Sequence, residues 1–261
     1  MAPRSNAISG GREESVEPAA PRLVGGLSVV IPAYNEEANI GSTIDRVSRA
    51  LQSLGVEYEI IAVNDGSRDR TGEVVRALLP RVPNLRLVEH TPNRGYGGSL
   101  KAGFRECGLL WIAFLPGDNQ FDPAELALLI ARTRENDIVS GYREDRQDPF
   151  VRRLNAFGWN MVVRLVFGRL CRDVDCGFKL FRRDLLDRVT IESNGAMIDT
   201  ELLAGARARG AAIGDVRVTH LPRTAGHPTG ANARVIVKAF RDLIRFRLRL
   251  WRELRSERGR R

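Results

Sequence analysis

The 261-residue chain is 43% hydrophobic and 28% charged, a globular balance with enough length to bury a substantial core as one large or composite domain. Its formal net charge of +9 is concentrated in residues 234–261, where ten Arg and one Lys outnumber three acids for a net +8; the near-neutral body argues against a nucleic-acid-binding core. Cys107, Cys171 and Cys176 form no CxxC pair, which speaks against a disulfide framework or zinc site. No run approaches the roughly 20 apolar residues of a membrane span.

Residues 1–25, rich in Ser, Gly, Pro, Ala and Glu, have neither an apolar period nor a signal-peptide core and are expected to be a disordered leader. Leu27 to Ile31 reads as a first buried strand, broken by Pro32-Ala-Tyr-Asn-Glu-Glu before a helix. Asn35 is placed to cap that helix, whose apolar positions Ile40, Ile44, Val47 and Leu51 recur at helical spacing until Gly55. Tyr58 to Val63 is a second strand, delivering Asn64-Asp-Gly-Ser-Arg-Asp-Arg-Thr to its carboxyl end before a helix that reaches Leu79. Leu85 to Val88 is a third strand, and Asn93-Arg-Gly-Tyr-Gly-Gly leads into a helix through Lys101 and Phe104.

Trp111 to Leu115 is the fourth strand, bounded by Pro116 and Gly117 and ending in a turn that carries Asp118 and Gln120. Ile138 to Ser140 is a further strand, followed by Gly141-Tyr-Arg143 and the pair Arg152-Arg153. Leu154 to Leu170 has the period of an amphipathic helix, with Phe157, Trp159, Val163 and Phe167 suited either to core packing or to guiding a lipid chain. Alternating strands and helices predict an α/β fold, a mostly parallel sheet between helices with ligand-binding loops at the strands' carboxyl ends.

A carboxylate and an amide oxygen two residues apart at such a strand end suit a hard divalent cation that also holds a diphosphate, although Asp, Asn, Gly and Pro are ordinary turn formers too. A dinucleotide-binding oxidoreductase is excluded: PAYNEE is no Gly-rich phosphate turn, and Arg94-Gly-Tyr-Gly-Gly-Ser does not fit GxGxxG.

The runs VVIPAYNEE, VNDGSRDRT, NRGYGGSLKAG, PGDNQFDPAEL and GFKLFRRD, in that order, resemble the family 2 glycosyltransferases of GT-A fold. Within that family the likeness is to the dolichol-phosphate mannose synthase and polyprenyl-phosphate glycosyltransferase group. The resemblance covers residues 27–225 and implies an inverting transfer of sugar from a nucleotide sugar to a polyprenyl phosphate. It leaves GDP-mannose, UDP-glucose and UDP-N-acetylglucosamine open as donors. It also implies roles. Pro32, Tyr34 and Glu36 would line the base and ribose pocket, Asp65 would accept a hydrogen bond from base or ribose with Ser67 beside it, and Asn93 and Lys101 would assist. Relatives carry DxD followed by Gln at the metal turn; here Pro116 replaces the first aspartate, leaving Asp118 and Gln120 as ligands for Mg²⁺ or Mn²⁺, with Asp122 either a third ligand or a helix cap.

A phosphate monoester with a second pKa near ~6 is already an anionic nucleophile at neutral pH, so a lipid phosphate needs cations where a hydroxyl needs a base. The resemblance assigns the acceptor phosphate to Arg143, Arg152 and Arg153, with Lys179, Arg182 and Arg183 as further candidates; Arg143 counts among the catalytic residues. In relatives that glycosylate hydroxyls a later carboxylate is the base, a part open to Asp199 or Glu201 here, although acidic residues opening a helix are the favoured reading of the two, and His220 to Arg223 resembles a loop that closes near the diphosphate. His227 stands too far from His220 for the two to form a metal cluster.

The expected organisation is a leader over residues 1–25, a catalytic domain over 26–230 and a basic amphipathic helix and tail over 231–261. In the tail Ile236, Phe240, Leu243, Leu250 and Trp251 recur at helical spacing among Arg241, Arg245, Arg249 and Arg252. Such a helix either packs on the domain or lies on an anionic membrane surface or integral-membrane partner at the cytosolic face; its aliphatic character gives RNA few stacking surfaces. The alternatives are transfer to a hydroxyl and a degenerate binding module without catalysis, the latter kept open by Pro116 in place of the first aspartate.

Overall fold

The computed structural model describes residues 23–144, 150–223 and 233–259. The leader expected over 1–25 lies, up to residue 22, outside the described residues, as does His227.

Seven strands form one sheet in the order β3-β2-β1-β4-β6-β5-β7. They are β1 (Leu27–Ala33), β2 (Tyr58–Asn64), β3 (Leu85–Glu89), β4 (Trp111–Phe114), β5 (Ile138–Arg143), β6 (Lys179–Arg182) and β7 (Ile213–Val218). Strands β1 to β4 pair in parallel, and so do β5 and β7; β6 alone runs antiparallel, to both β4 and β5. The carboxyl ends of β1, β2, β4 and β5 therefore share one edge of the sheet.

Every residue of β1 is buried, as a strand covered on both faces requires. Side chains alternate between two cores. Val30, Ile61, Val63, Ile112 and Phe114 face one side, where α3 (Tyr96–Glu106), α5 (Phe150–Phe167), α7 (Met197–Ala208) and α8 (Ala233–Arg258) pack. Leu27, Val29, Ile31, Ile60 and Ala62 face the other, under α1 (Ile40–Leu54), α2 (Thr71–Leu78) and α4 (Leu126–Ala131). A short α6 (Leu185–Arg188) follows β6. Phe104, Phe114 and Phe181 meet in tilted or edge contacts with centroids 5.2–6.3 Å apart, joining α3 to β4 and β6. The three cysteines are free and buried, and burial pushes their thiols up to about 12, 12 and 11, which leaves them inert packing groups.

Helix α1 begins at Ile40, with Asn39 rather than Asn35 at its N-cap position, while Gly55 closes it in the left-handed conformation as the sequence predicts. Asn35 instead takes a left-handed conformation (φ 56°), and its Oδ1 accepts a hydrogen bond from the Arg68 N–H at 2.8 Å. It has become a tie between two loops.

Helix α8 docks one face on the domain, with Leu243, Phe246 and Leu250 buried in the core. Two of its acids tie it to the domain: Arg209 of α7's C-cap holds Glu253 at 2.9 Å and Glu257 at 2.6 Å. Arg249 likewise reaches Glu201 at 3.0 Å and pairs with Glu192. The apolar set in the tail thus divides, since Phe240 and Trp251 stay exposed with Ile244 and Leu248 on the outer side, and Ile236 lies outside the described side chains.

Candidate active site

The loops after β1 and β2 are bolted to each other. The Asn35 N–H donates to Ser67 Oγ at 3.0 Å, Glu36 N–H to Thr71 Oγ1 at 2.9 Å, and Glu37 N–H to Asp69 Oδ2 at 3.1 Å. Asp65, 2% exposed, sits at the end of β2, and its Oδ1 takes the Arg94 N–H at 2.9 Å and faces His90 Nδ1 at 2.9 Å. Asn93 Nδ2 donates to the Asp65 carbonyl at 2.9 Å. Gly66 is required here: at φ 69° a side chain would be strained, and a Cβ would come within 2.8 Å of Asn93 N. Tyr34, on the loop after β1, is 36% exposed. His90 escaped the sequence reading because it is a lone histidine after β3 with no motif around it.

The turn after β4 is fastened to β1, where Gly117 N–H donates to the Pro32 carbonyl at 3.1 Å. Asn119, left-handed at φ 61°, reaches Thr43 Oγ1 of α1 at 2.9 Å. Asp118 and Gln120 are 6% and 8% exposed, and Asp118 Oδ1 accepts the Gln120 N–H at 3.1 Å. Asp122 is the helix cap, accepting from Ala124 N–H at 3.2 Å and pairing with Arg46 at 3.2 Å. Residues 219–223 lie against this turn: Leu221 N–H donates to the Gln120 carbonyl at 2.8 Å, and Phe121 and His220 form an antiparallel bridge. Arg223 then places Nη2 at 2.7 Å from Asp118 Oδ2 and Nη1 at 3.3 Å from Glu36 Oε1. Burial raises the Glu36 pKa, with Asn39 and Arg223 working against it.

No group of three or more His, Cys, Asp or Glu side chains among the described residues is arranged to hold a metal. The site nevertheless fits a hard cation. Asp118 supplies a carboxylate, Gln120 an amide, and a positive guanidinium already stands against the Asp118 oxygen.

Beyond the turn after β4, Arg143 at the end of β5 grips Asp173 in a bidentate pair, Nε to Oδ2 at 2.8 Å and Nη2 to Oδ1 at 3.1 Å. A cavity of about 400 Å³ opens beside it, bounded by Arg143, Arg153 and Arg172 together with Tyr142, Leu154 and Phe157. The Arg152 side chain lies outside the described residues.

Three cationic side chains already have partners within the fold. Lys179 does not face an acceptor: it is fully buried, and Nζ donates to the carbonyls of Val174 (3.0 Å) and Cys176 and to Asp199 Oδ1 at 2.8 Å. Burial alone would lower its pKa, but Asp199 holds it charged, and the pair is an internal strut. Arg182 stands opposite Trp111, at the start of β4, because β6 runs antiparallel, so it belongs to the far edge of the sheet. Lys101 turns to the Glu192 carbonyl at 2.7 Å and fastens α3 to the segment before α7. Neither later carboxylate is free as a base, since Asp199 is bound by Lys179 and Glu201 accepts from Glu192 N–H, Ser193 N–H and Arg249. Beside this cluster Asp175 is pushed up to about 7 by burial and by Asp173 and Asp199.

The profile of Glycosyl transferase family 2 matches residues 28–190. The chain belongs to that family. This family 2 member is 30% identical over 204 residues to a dodecaprenyl-phosphate galacturonate synthase of Rhizobium johnstonii, covering 77% of this chain and 60% of the relative. It is 31% identical over 221 residues to an undecaprenyl-phosphate 4-deoxy-4-formamido-L-arabinose transferase of Pseudomonas paraeruginosa, covering 84% and 64%. The chain thus spans less than two thirds of these relatives' length. Among solved structures it resembles glucosyl-3-phosphoglycerate synthase from Mycobacterium tuberculosis in complex with Mn²⁺, UDP and glucosyl-3-phosphoglycerate. The TM-score is 0.65 at 22% identity, over 87% of this chain and 80% of that one, and the shared fold is the GT-A fold.

Proposed function

We propose that this family 2 member transfers a sugar from a nucleotide sugar to a polyprenyl phosphate, with inversion. The observation that carries this reading is the cavity after β5, where Arg143, Arg153 and Arg172, with Asp173 paired to Arg143, meet the apolar side chains of Leu154 and Phe157. Cations with an apolar rim suit a phosphate that ends a hydrocarbon chain. The commitment of Asp199 and Glu201 to structural ion pairs supports a nucleophile that needs no base.

In this reading the coupled loops of Tyr34, Glu36, Asp65, Ser67 and Asn93 hold the base and ribose. Asp118 and Gln120 would hold Mg²⁺ or Mn²⁺, which when bound stabilises the charge on the departing diphosphate. An oxygen of the lipid phosphate attacks the anomeric carbon from the face opposite the diphosphate, so the new carbon–oxygen bond forms as the old one breaks and its electron pair leaves with the diphosphate. Arg153 and Arg172 position the attacking anion, while Arg143, fixed by Asp173, adds its field from the cavity wall.

Two exposed apolar stripes support a peripheral position on an anionic membrane. Leu154, Phe157, Met161 and Leu165 form one on α5, leading away from the cavity, and Phe240, Ile244, Leu248 and Trp251 form the other on α8. Trp159 packs edge-on against Phe240 at 6.0 Å, so the stripes are carried by adjoining helices. Arg241, Arg245, Arg247 and Arg252 are exposed around the α8 stripe. The acceptor is tested by comparing polyprenyl phosphate with the polyprenol of equal chain length. Transfer to the phosphate alone is expected, with Arg153→Ala raising its apparent KM about tenfold and leaving nucleotide affinity unchanged. Transfer to the polyprenol, or an equal loss of nucleotide affinity, would contradict the reading.

A further inference from the structure

The carboxylate assigned to the metal is already engaged by a cation of the protein's own. Arg223 spans Asp118 and Glu36, whose side chains are 8% and 12% exposed, and its Nε is buried without a hydrogen-bond partner. Without that guanidinium, two nearly buried carboxylates would face each other across the donor pocket. The chain just before Arg223 is pinned to the same turn. Thr219 Oγ1 donates to Glu125 Oε1 at 2.6 Å, Gln120 Nε2 donates to the Leu221 carbonyl at 3.3 Å, and the rings of His220 and Phe121 stand 5.8 Å apart.

A metal ion and a guanidinium at Asp118 repel each other at close range and compete for the same carboxylate, so each weakens the hold of the other. We infer that Arg223 is the placeholder for the divalent cation in the donor-free enzyme, so that metal and nucleotide diphosphate enter together. Metal alone must break the Arg223 pair and leave a guanidinium unpaired in a half-buried site. Metal arriving with a diphosphate meets a different balance: the phosphate oxygens complete the metal's coordination and give the displaced guanidinium a new anionic partner. Arg223 is thus a positioning residue that makes the binding of metal and nucleotide depend on each other. This rests on the assignment of Asp118 as the cation ligand.

The test uses Mn²⁺ binding to the full chain, followed by electron paramagnetic resonance or calorimetry, alone and then with saturating UDP or GDP. In the parent Mn²⁺ should bind weakly alone and at least tenfold more tightly with the nucleotide. Arg223→Met should bind Mn²⁺ alone about tenfold more tightly than the parent and gain less from the nucleotide, so that the coupling shrinks from both ends. Arg223→Lys keeps the charge but lacks the fork that reaches both carboxylates; it should fall between the two, and carries the test if Arg223→Met does not fold. Unchanged or weaker Mn²⁺ binding without nucleotide in the folded variant would overturn the inference and make Arg223 a structural pin. Failure of the metal assignment itself reads differently, as Asp118→Ala binding Mn²⁺ with nucleotide as well as the parent does.

Discussion

The two sides of the sheet edge that we propose for donor and acceptor are built on different principles. On the donor side, loops after β1, β2 and β4 hold one another by main-chain to side-chain hydrogen bonds, as in Asn35 with Ser67 and Arg94 with Asp65, and the carboxylates are nearly buried. On the acceptor side charged pairs are sunk beneath the surface, Arg143 with Asp173 and Lys179 with Asp199, while Leu154, Phe157, Ile244 and Trp251 are left in the open. A small polar ligand such as a nucleotide needs fixed partners at fixed distances. A lipid phosphate needs a cationic cavity and an apolar surface to arrive on.

The largest expected effect separates Asp118 from its neighbour in the same turn. Asp118→Ala should lower kcat by about a hundredfold or more, since the leaving group loses its cation's anchor. Asp122→Ala should cost about 1 kcal/mol of stability and little activity, because that side chain caps a turn and pairs with Arg46 at the surface. Steady-state kinetics and thermal melts of both variants decide it; equal activity losses would dissolve the distinction between ligand and cap.

Lys179 tests whether the acceptor side rests on buried struts. Lys179→Met leaves Asp199 buried without its partner and should destabilise the fold by about 3–5 kcal/mol, measured by denaturant unfolding. A stable variant with a selectively raised acceptor KM would return Lys179 to the phosphate.

Much of the donor side was legible in the sequence, because its residues lie in short contiguous runs at strand ends. Asp65, Asp118 and Gln120 stand where those runs place them. What the sequence concealed depends on chain reversal and distance. Lys179 and Asp199 are twenty residues apart and meet because β6 runs antiparallel, and Arg223 meets Asp118 across 105 positions. Asn35 misled because a residue suited to capping is equally suited to a left-handed turn. In α8 a single apolar period concealed two stripes, one facing the domain and one facing out, which periodicity alone cannot separate.

The outward stripe gives a smaller effect. Ile244→Glu with Trp251→Glu should lower co-sedimentation with anionic vesicles severalfold and leave nucleotide binding and melting temperature unchanged, since neither side chain is part of the core. Undiminished sedimentation would put the membrane contact elsewhere.

A further effect is a pH dependence set by Asp175. Asp175 is raised from 3.8 to about 7 in the folded chain, so the folded state binds more protons than the unfolded state between those values, and stability falls as pH rises through that window. Asp175→Asn should therefore gain on the parent between about pH 4 and pH 7 and hold a constant advantage above it. A pH-independent difference would place the carboxylate in a solvated environment.

The most direct test of the whole account is a panel of radiolabelled nucleotide sugars incubated with the protein and a polyprenyl phosphate, with Mg²⁺ or Mn²⁺ and again with excess chelator. The account predicts that at least one donor yields a lipid-extractable sugar product and that the chelator abolishes it. Nucleotide binding with no lipid-linked product from any donor, or product formation undiminished by chelator, would contradict it.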